Sequence, residues 1–462
     1  FSDNSRHFRN IKKLLRIYQR KVAMTNEILG MIMIGFMLLA IFIGFPISFT
    51  LIFLGAVFGF LGFGSLVFYL MTFQFSSVML EQTLAAVPLF IFMGLLMEKA
   101  GLMERLFQAV QLMLSRVRGS LFIAVLFVST IFAAATGIVG ASVTILGIMA
   151  AKTMNRSKYD VKLAAGTITA GGTLGILIPP SIMLVVMGPI LEVPVTDLFA
   201  AAIVPGILLA SLYTGYALLR CYLNHELGPL LPPEERAESM SHVLKEFFLG
   251  LVPPAALVFS ALGSILFGFA TPTEGAGMGA FGGILLALAY RKLNLSGLFD
   301  TLIKTLEITT LILFLVAASN FFGAVFSRLG TPMLLTDYMM GLDMPPMFIL
   351  AMIMLMIFLL GWPLEWVPIV MIILPVILPL VEKLGFNLTW FGILVAVNLQ
   401  TAWLSPPVAL SAYFLKGVVP EWDLKDIYGG MMQFMVIQVF GLILIILFPQ
   451  IVLWLPEYIY GK

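Results

Sequence analysis

Residues 166–181, GTITAGGTLGILIPPS, lie inside a long apolar segment yet hold four glycines, four hydroxyl side chains and the pair Pro179-Pro180. Such a stretch cannot continue a regular helix, because proline lacks the amide donor and its ring clashes with the preceding turn. In hydrocarbon each unpaired backbone group is expensive, so a helix is interrupted only where protein, water or an ion satisfies the freed groups. The stretch therefore reads as a broken membrane helix. A second copy stands at residues 392–411, GILVAVNLQTAWLSPPVALS, whose Pro406 follows Pro179 by 227 residues.

Similar offsets recur along the chain. Gly94-LLMEKA-Gly101 pairs with Gly323-AVFSRL-Gly330 at an offset of 229, and GFPISFTL from Gly44 pairs with GFATPTEG from Gly268 at 224. These pairs divide the chain into two homologous halves. Interrupted helices in corresponding positions of two halves point to the midplane binding site of a secondary transporter.

Composition names the solvent: 61% of residues are hydrophobic, 11% are charged and mean hydropathy is +1.06. Globular domains carry about 25% charged residues, so the reading is an all-α polytopic membrane protein. The lone Cys221 excludes an intrachain disulfide framework. His7, His225 and His242 all fall in polar segments, which argues against a buried histidine relay or His-ligated metal. No GxxxxGK[ST], HExxH or GxSxG occurs, so motif-based enzyme chemistry has no support. Gly277, Gly279 and Gly282 fit GxGxxG, but no strand precedes them and close helix packing is the better reading.

In chain order, residues 1–23 hold seven of the 26 Lys and Arg and read as a basic amphipathic surface helix. Met24 looks like a natural start, so this segment is read as the tail of a fused upstream partner or a cloning remnant; a signal peptide is the competing reading. The first repeat, 24–221, is expected to hold spans at 27–46, 48–72 and 80–97, an amphipathic arm at 98–118, a re-entrant hairpin at 119–152, a broken helix at 163–187 and a span at 198–221. A cytoplasmic loop, 222–246, separates the halves. The second repeat, 247–462, is expected to hold spans at 247–267, 270–289 and 305–325, an arm at 326–345, a hairpin at 347–380, a broken helix at 389–411 and a last helix at 429–453. This threading inverts one half relative to the other and places 16 Lys and Arg in cytoplasmic segments against three outside. Residues 1–23 then fall outside, against the positive-inside rule.

Four non-helical tips follow from this threading: 136–142, 171–175, 361–365 and 401–405. Carbonyls with Thr and Ser hydroxyls suit a small hard cation such as Na⁺, and free amides at half-helix starts suit an anion. Gly140, Ser142, Pro180 and Ser181 sit near such starts and are candidate substrate contacts. Trp366 and Trp403, with Trp362, lie near the second-half tips and either shape a substrate pocket or simply pack. Glu274, Glu307 and Glu365 lie within the expected spans. Glu274 is read as a helix cap, and Glu365 as a cation ligand, a proton carrier or a cap. A competing reading is that glycine and proline merely permit kinks.

The chain from Met24 resembles the large membrane subunit of tripartite ATP-independent periplasmic (TRAP) transporters. The stretches that carry the resemblance are GFPISF, ATGIVGASVTILG, GTLGILIPPSIMLVVMG, ATPTEGAGMGA, PIVMIILPVILPLVEKLGFN and NLQTAWLSPPVALSAYFLKGVVP. It implies an elevator-type, Na⁺-coupled importer of a small organic anion in the bacterial inner membrane. The implied partners are a small four-helix membrane subunit and a periplasmic substrate-binding protein; no cofactor beyond the coupling Na⁺ and no nucleic acid are expected. It further implies one Na⁺ site at Thr136, Gly137, Gly171, Gly172, Thr173 and Gly175, and another at Gly361, Trp362, Glu365, Thr401, Leu404 and Ser405. QTAWLSPP resembles a branch associated with carboxylates and sulfonates rather than sialic acid. A stand-alone Na⁺/dicarboxylate symporter of related hairpin architecture is the alternative, and a membrane enzyme or structural subunit a more distant one. The moving part is expected to comprise 119–187 and 347–411, and the frame 27–72 and 198–289.

Because residues 1–23 lie far in sequence from every tip, deleting them should lower assembly while leaving the Na⁺ response of each inserted molecule unchanged. Uptake per correctly inserted transporter in reconstituted vesicles measures this, and a lost Na⁺ response contradicts it.

Overall fold

The computed structural model describes residues 26–136, 139–231, 240–364, 366–406 and 409–461. Residues 1–23, Gly137, Glu365 and residues 232–239 of the polar loop between the halves lie outside the described residues, as do the side chains of Thr136 and His242. Regular structure is helical throughout the described residues, and seven of these helices are long and apolar enough to cross a membrane.

The described residues form two compact units, one from residues up to Glu81, Leu311–Met352 and Pro363–Phe386, the other from Gln82–Thr310, Ile353–Trp362 and Asn387 onward. The first unit opens with α1 (Asn26–Ile43), α2 (Ile47–Phe63) and α3 (Leu66–Leu80). The single span expected at 48–72 is thus two helices, because Gly64 takes φ 66°, a left-handed turn open to glycine. The end of α13 (Leu295–Arg328) follows, then α14 (Thr331–Met340) and the start of α15 (Pro346–Leu360). The unit closes with α16 (Trp366–Pro368), a π-helical turn and α17 (Leu374–Lys383). Asn320 Nδ2 donates to Gln74 Oε1 at 2.9 Å, and Thr331 Oγ1 donates to the Glu27 carbonyl at 3.1 Å.

The second unit begins with α4 (Ala86–Lys99) and the arm α5 (Leu102–Met113). Next come α6 (Ser120–Thr136) and α7 (Val139–Arg156), the two limbs around the first expected tip. The first broken helix is α8 (Val161–Thr173), a 3-10 turn at Leu174–Ile176, and α9 (Ile182–Leu191). After it run α10 (Val195–Leu223), α11 (Met240–Leu266) and α12 (Pro272–Ala289). The second broken helix is α18 (Leu388–Leu404) and α19 (Leu410–Val418). The expected last helix is two, α20 (Leu424–Leu447) and α21 (Gln450–Tyr460), divided at Phe448-Pro449 where proline cannot donate to the preceding turn.

Local chemistry explains the starts. Asp160 Oδ1 accepts from the Leu163 amide at 2.8 Å, and Asn387 Oδ1 accepts from the Trp390 amide at 3.0 Å, so both broken helices begin on a side-chain cap. Thr271 and Glu274 form a reciprocal capping box, which is the role read for Glu274. Gly101 and Gly330, the paired glycines 229 residues apart, both take left-handed φ and open the arm helices α5 and α14. α13 is far longer than the 305–325 expected: Asn294 Oδ1 accepts from the Gly297 amide at 2.7 Å and starts the helix ten residues early.

Helices in the second unit meet through glycine. Lipid offers no hydrophobic drive between helices, so close backbone approach carries the association. A methyl group at Gly430 of α20 would lie 1.9 Å from the Lys162 carbonyl oxygen of α8, and one at Gly166 would lie 2.6 Å from the Gly430 carbonyl. The Gly277–Gly282 stretch packs likewise: a methyl at Gly279 would meet Met93 Sδ of α4 at 2.5 Å, and one at Gly282 would meet Leu257 Cδ1 of α11 at 2.4 Å. The segment 198–221, read above as part of the frame, has several helical neighbours. Its helix, α10, packs on α6, α8, α9, α18, α20 and α21, and so touches the first hairpin and both broken helices. Its buried face, with Ala200, Ala201, Ala202 and Gly206, is small enough for that close fit.

Gly430→Ala must separate α8 from α20 and should destabilise the protein by about 3 kcal/mol or more, whereas the neighbouring Gly429→Ala, 3.8 Å from Lys162 Cδ, should stay within about 0.5 kcal/mol. Unfolding midpoints of the two purified variants check the contrast.

Candidate functional site

The first candidate cluster is built where α8 loses its helix. Asp160 starts α8, Thr173 ends it, and the chain passes through the 3-10 turn to Ser181, which caps α9. The whole passage is buried apart from partial exposure at Ile178. Glycine is required by proximity: a methyl at Gly171 would lie 2.8 Å from Ser129 Oγ of α6, and one at Gly172 would lie 2.4 Å from Val143 Cγ2 of α7. Both limbs of the first hairpin therefore close on the end of α8. Gly175 lies within the 3-10 turn, buried. Thr136 ends α6, on the same hairpin.

The hydroxyls here spend their protons on the helix. Thr167 donates to the Leu163 carbonyl at 2.7 Å, Thr169 to Ala165 at 2.7 Å and Thr173 to Ala170 at 2.8 Å. Ser181 Oγ donates to the Ile176 carbonyl and accepts from the Leu184 amide. A hydroxyl whose proton is directed backward keeps oxygen lone pairs for an acceptor role. That is the polarity a cation requires.

The second cluster sits where α18 ends. Gly361 and Trp362 follow α15, and a methyl at Gly361 would lie 2.8 Å from Ala402 Cβ. Trp362 Nε1 donates to Ser405 Oγ at 3.0 Å, and Ser405 Oγ donates to the Thr401 carbonyl at 2.8 Å. Thr401 Oγ1 donates to the Asn398 carbonyl at 2.5 Å, and Asn398 Nδ2 donates to the Met354 carbonyl at 2.7 Å. Gly361, Trp362, Thr401 and Ser405 are thus brought together, with Leu404 buried beside them. Trp366 opens α16 in the other compact unit.

Of the expected substrate contacts, two converge on a residue that pattern reading missed. Phe414 of α19 lies where a methyl at Gly140 would be 2.8 Å from its Cζ, and its ring stacks on Trp403 with centroids 6.5 Å apart. The Trp403 carbonyl also accepts from Ser411 Oγ. Ser142 is buried in α7, and Pro180 and Ser181 are buried at the start of α9. Asn398, Gln400 and Gln438 were missed as well. Gln438 Nε2 of α20 donates to the Val397 carbonyl at 3.0 Å and to Gln400 Oε1 at 2.8 Å, which fastens α18 one residue before Thr401. A buried amide within the NLQTAW stretch was the available signal for Asn398 and Gln400. Phe414 and Gln438 carry no such signal, since each looks like an ordinary spanning-segment residue.

Interrupted, oxygen-rich helices packed against hairpin limbs, inside an all-helical chain with several spanning helices, define a multi-pass membrane transport protein. The family model described as tripartite ATP-independent periplasmic transporter, DctM component, matches residues 34–451, and the chain belongs to that family. It is accordingly a transporter permease rather than an enzyme. It is similar to the sialic acid TRAP transporter large permease protein SiaM of Vibrio cholerae, 29% identical across 91% of this chain and 97% of that protein. The C4-dicarboxylate TRAP transporter large permease protein DctM of Pseudomonas aeruginosa is 29% identical across 82% and 87%. The isethionate TRAP transporter permease protein DctMQ of Oleidesulfovibrio alaskensis is 28% identical, matching 84% of this chain and 60% of that longer protein. In fold, the chain resembles the Alcanivorax borkumensis YdaH transporter, with a TM-score of 0.61 at 15% identity over 90% of this chain and 97% of the other. Neisseria gonorrhoeae MtrF follows at 0.57 and 14% over 83% and 84%.

Asn398→Leu removes a fully buried bond to the Met354 carbonyl and should destabilise the protein by about 1–3 kcal/mol, while Trp362→Phe, which removes one partly exposed bond, should cost about 1 kcal/mol. Unfolding midpoints of the variants rank the two, and equal loss from both would contradict this order.

Proposed function

We propose that this chain is the large permease subunit of a Na⁺-coupled symporter that imports a small organic anion, a carboxylate or a sulfonate, across the bacterial inner membrane. The observation that carries the reading is the pair of oxygen-rich clusters at interrupted helices, each with hydroxyl protons turned back onto the helix. Such oxygens suit a small hard cation. One Na⁺ is proposed among Thr136, Gly137, Gly171, Gly172, Thr173 and Gly175, the other among Gly361, Trp362, Glu365, Thr401, Leu404 and Ser405.

No lysine or arginine occurs in either tip sequence, 136–142 or 401–405. The anion would then be held by the co-transported cations and by the amide ends of α9 and α19, with Gly140, Ser142, Pro180, Ser181 and Trp403 shaping its pocket. The named substrates of the three relatives, sialic acid, a C4-dicarboxylate and isethionate, are all organic acids, which supports an anion here. A periplasmic binding protein would deliver it. A small four-helix subunit would complete the membrane part, a reading supported by the longer DctMQ relative, of which this chain covers 60%. In the proposed elevator, α10 travels with the hairpin and broken helices it packs against.

Uptake of the cognate anion into proteoliposomes, with the binding protein supplied, should require an inward Na⁺ gradient. Thr401→Val should raise the half-saturating Na⁺ concentration about tenfold, a loss of about 1.4 kcal/mol. Undiminished uptake in choline or K⁺ under a proton gradient alone would sink the symport reading.

A further inference from the structure

A cavity of about 560 Å³ lies between the end of α4 and the start of α13, and none of the residues lining it belongs to either interrupted helix. Its lining is unusual for a membrane chain. Glu98, Lys99, Asp300, Lys304 and Glu307 supply charge, buried Thr301 supplies a hydroxyl, and Leu95, Phe299 and Ile303 supply apolar wall. Lys99 Nζ is anchored on the Gly297 carbonyl at 2.7 Å, which ties the two helices at this point. Glu98 is half-buried within electrostatic reach of Lys304. None of these charges belongs to either of the two oxygen-rich clusters described above.

Helix length sets the depth of the cavity. With 34 residues, α13 extends about 51 Å, well beyond a hydrocarbon core of about 30 Å. Its first turns, including Asp300 and Lys304, therefore stand in the headgroup zone. Lys99, Arg105, Arg291 and Lys292 mark the same end, which the positive-inside rule makes cytoplasmic. Directly beside the charges, Phe299 is 65% exposed and Leu306 is 61% exposed, forming an apolar wall that continues toward the membrane interior.

We propose that this cavity seats the headgroup of an aminophospholipid, phosphatidylethanolamine in chemical class, with its acyl chains along Phe299, Ile303 and Leu306. Lys304 meets the phosphate, and Glu98 and Glu307 meet the primary ammonium, whose three N–H donors match carboxylate acceptors. Three carboxylates against two ammonium groups leave the cavity with one excess negative charge. That balance favours a zwitterion carrying a compact cation and disfavours an anionic lipid. The volume lies in the range of about 300–1,000 Å³ typical of small-ligand sites.

Native mass spectrometry of the delipidated full chain in detergent, offered dioleoyl phosphatidylethanolamine, phosphatidylglycerol or phosphatidylcholine, tests the assignment. One retained phosphatidylethanolamine, at least fivefold above either other lipid, is expected. Lys304→Gln and Glu307→Gln, both at exposed positions, should each cut that retention at least threefold. Glycerophosphoethanolamine, the headgroup without chains, should not displace the lipid at equal concentration. Equal retention of phosphatidylglycerol by the unmodified chain overturns the proposal whatever the variants do. Unchanged retention in both folded variants, or displacement by the soluble headgroup, also overturns it.

Discussion

A peptide group that loses its helical partner in hydrocarbon has no water to turn to, so any gap in a spanning helix must be enclosed by the rest of the chain. The passage from Leu174 to Ser181 obeys this rule. It is almost wholly buried, its capping serine bonds both backward and forward, and the two limbs of the first hairpin close over the end of α8. At α18 the same problem is met by side chains: Ser405, Thr401 and Asn398 pass hydrogen bonds from the tip at Trp362 to the Met354 carbonyl. The arrangements that satisfy the freed backbone also gather oxygen atoms at one place. Stability and ion chemistry thus draw on the same groups.

Close packing gives that constraint its reach. Gly166 and Gly430 let α8 and α20 touch backbone to backbone, and Gly250 brings α11 onto Leu106 of the arm α5. These contacts rest on dispersion and weak polar interactions, since lipid tails compete equally for apolar side chains. Any added carbon therefore acts directly on helix separation. Because α8 comes from the first half of the sequence and α20 from the second, the two halves are joined through their glycines as well as through polar contacts such as Lys162–Asp426 and Arg220–Gln433.

Charged and polar side chains also tie helix ends together. Arg105 holds Glu246 through two bonds of 2.6 and 3.0 Å and lies over the Tyr290 ring, which fixes the arm α5 against α11 and α12. Lys416 caps the carbonyls of Pro420 and Trp422, and Trp422 donates to Asn155 at the end of α7. Pairs this exposed contribute about 1 kcal/mol or less each. Their value is positional: they set where each helix leaves the membrane.

Much of this was legible in the residues themselves. Periodicity and composition suffice for an all-helical membrane chain, because hydrocarbon thickness and backbone satisfaction allow few alternatives. Gly166–Ser181 and its counterpart at 392–411 disclosed both interruptions, since glycine and proline act through local backbone geometry. Asp160, Asn387 and the Thr271–Glu274 box likewise act within a single turn. Contacts distant in sequence were not legible. That Phe414 would meet both Gly140 and Trp403, that Gln438 would fasten α18, and that α10 would pack on the broken helices all depend on which helix faces which. An apolar helix in lipid carries no solvent-facing pattern to announce its inward side, so only the tertiary structure, through the fit of small and large side chains, decided those neighbours.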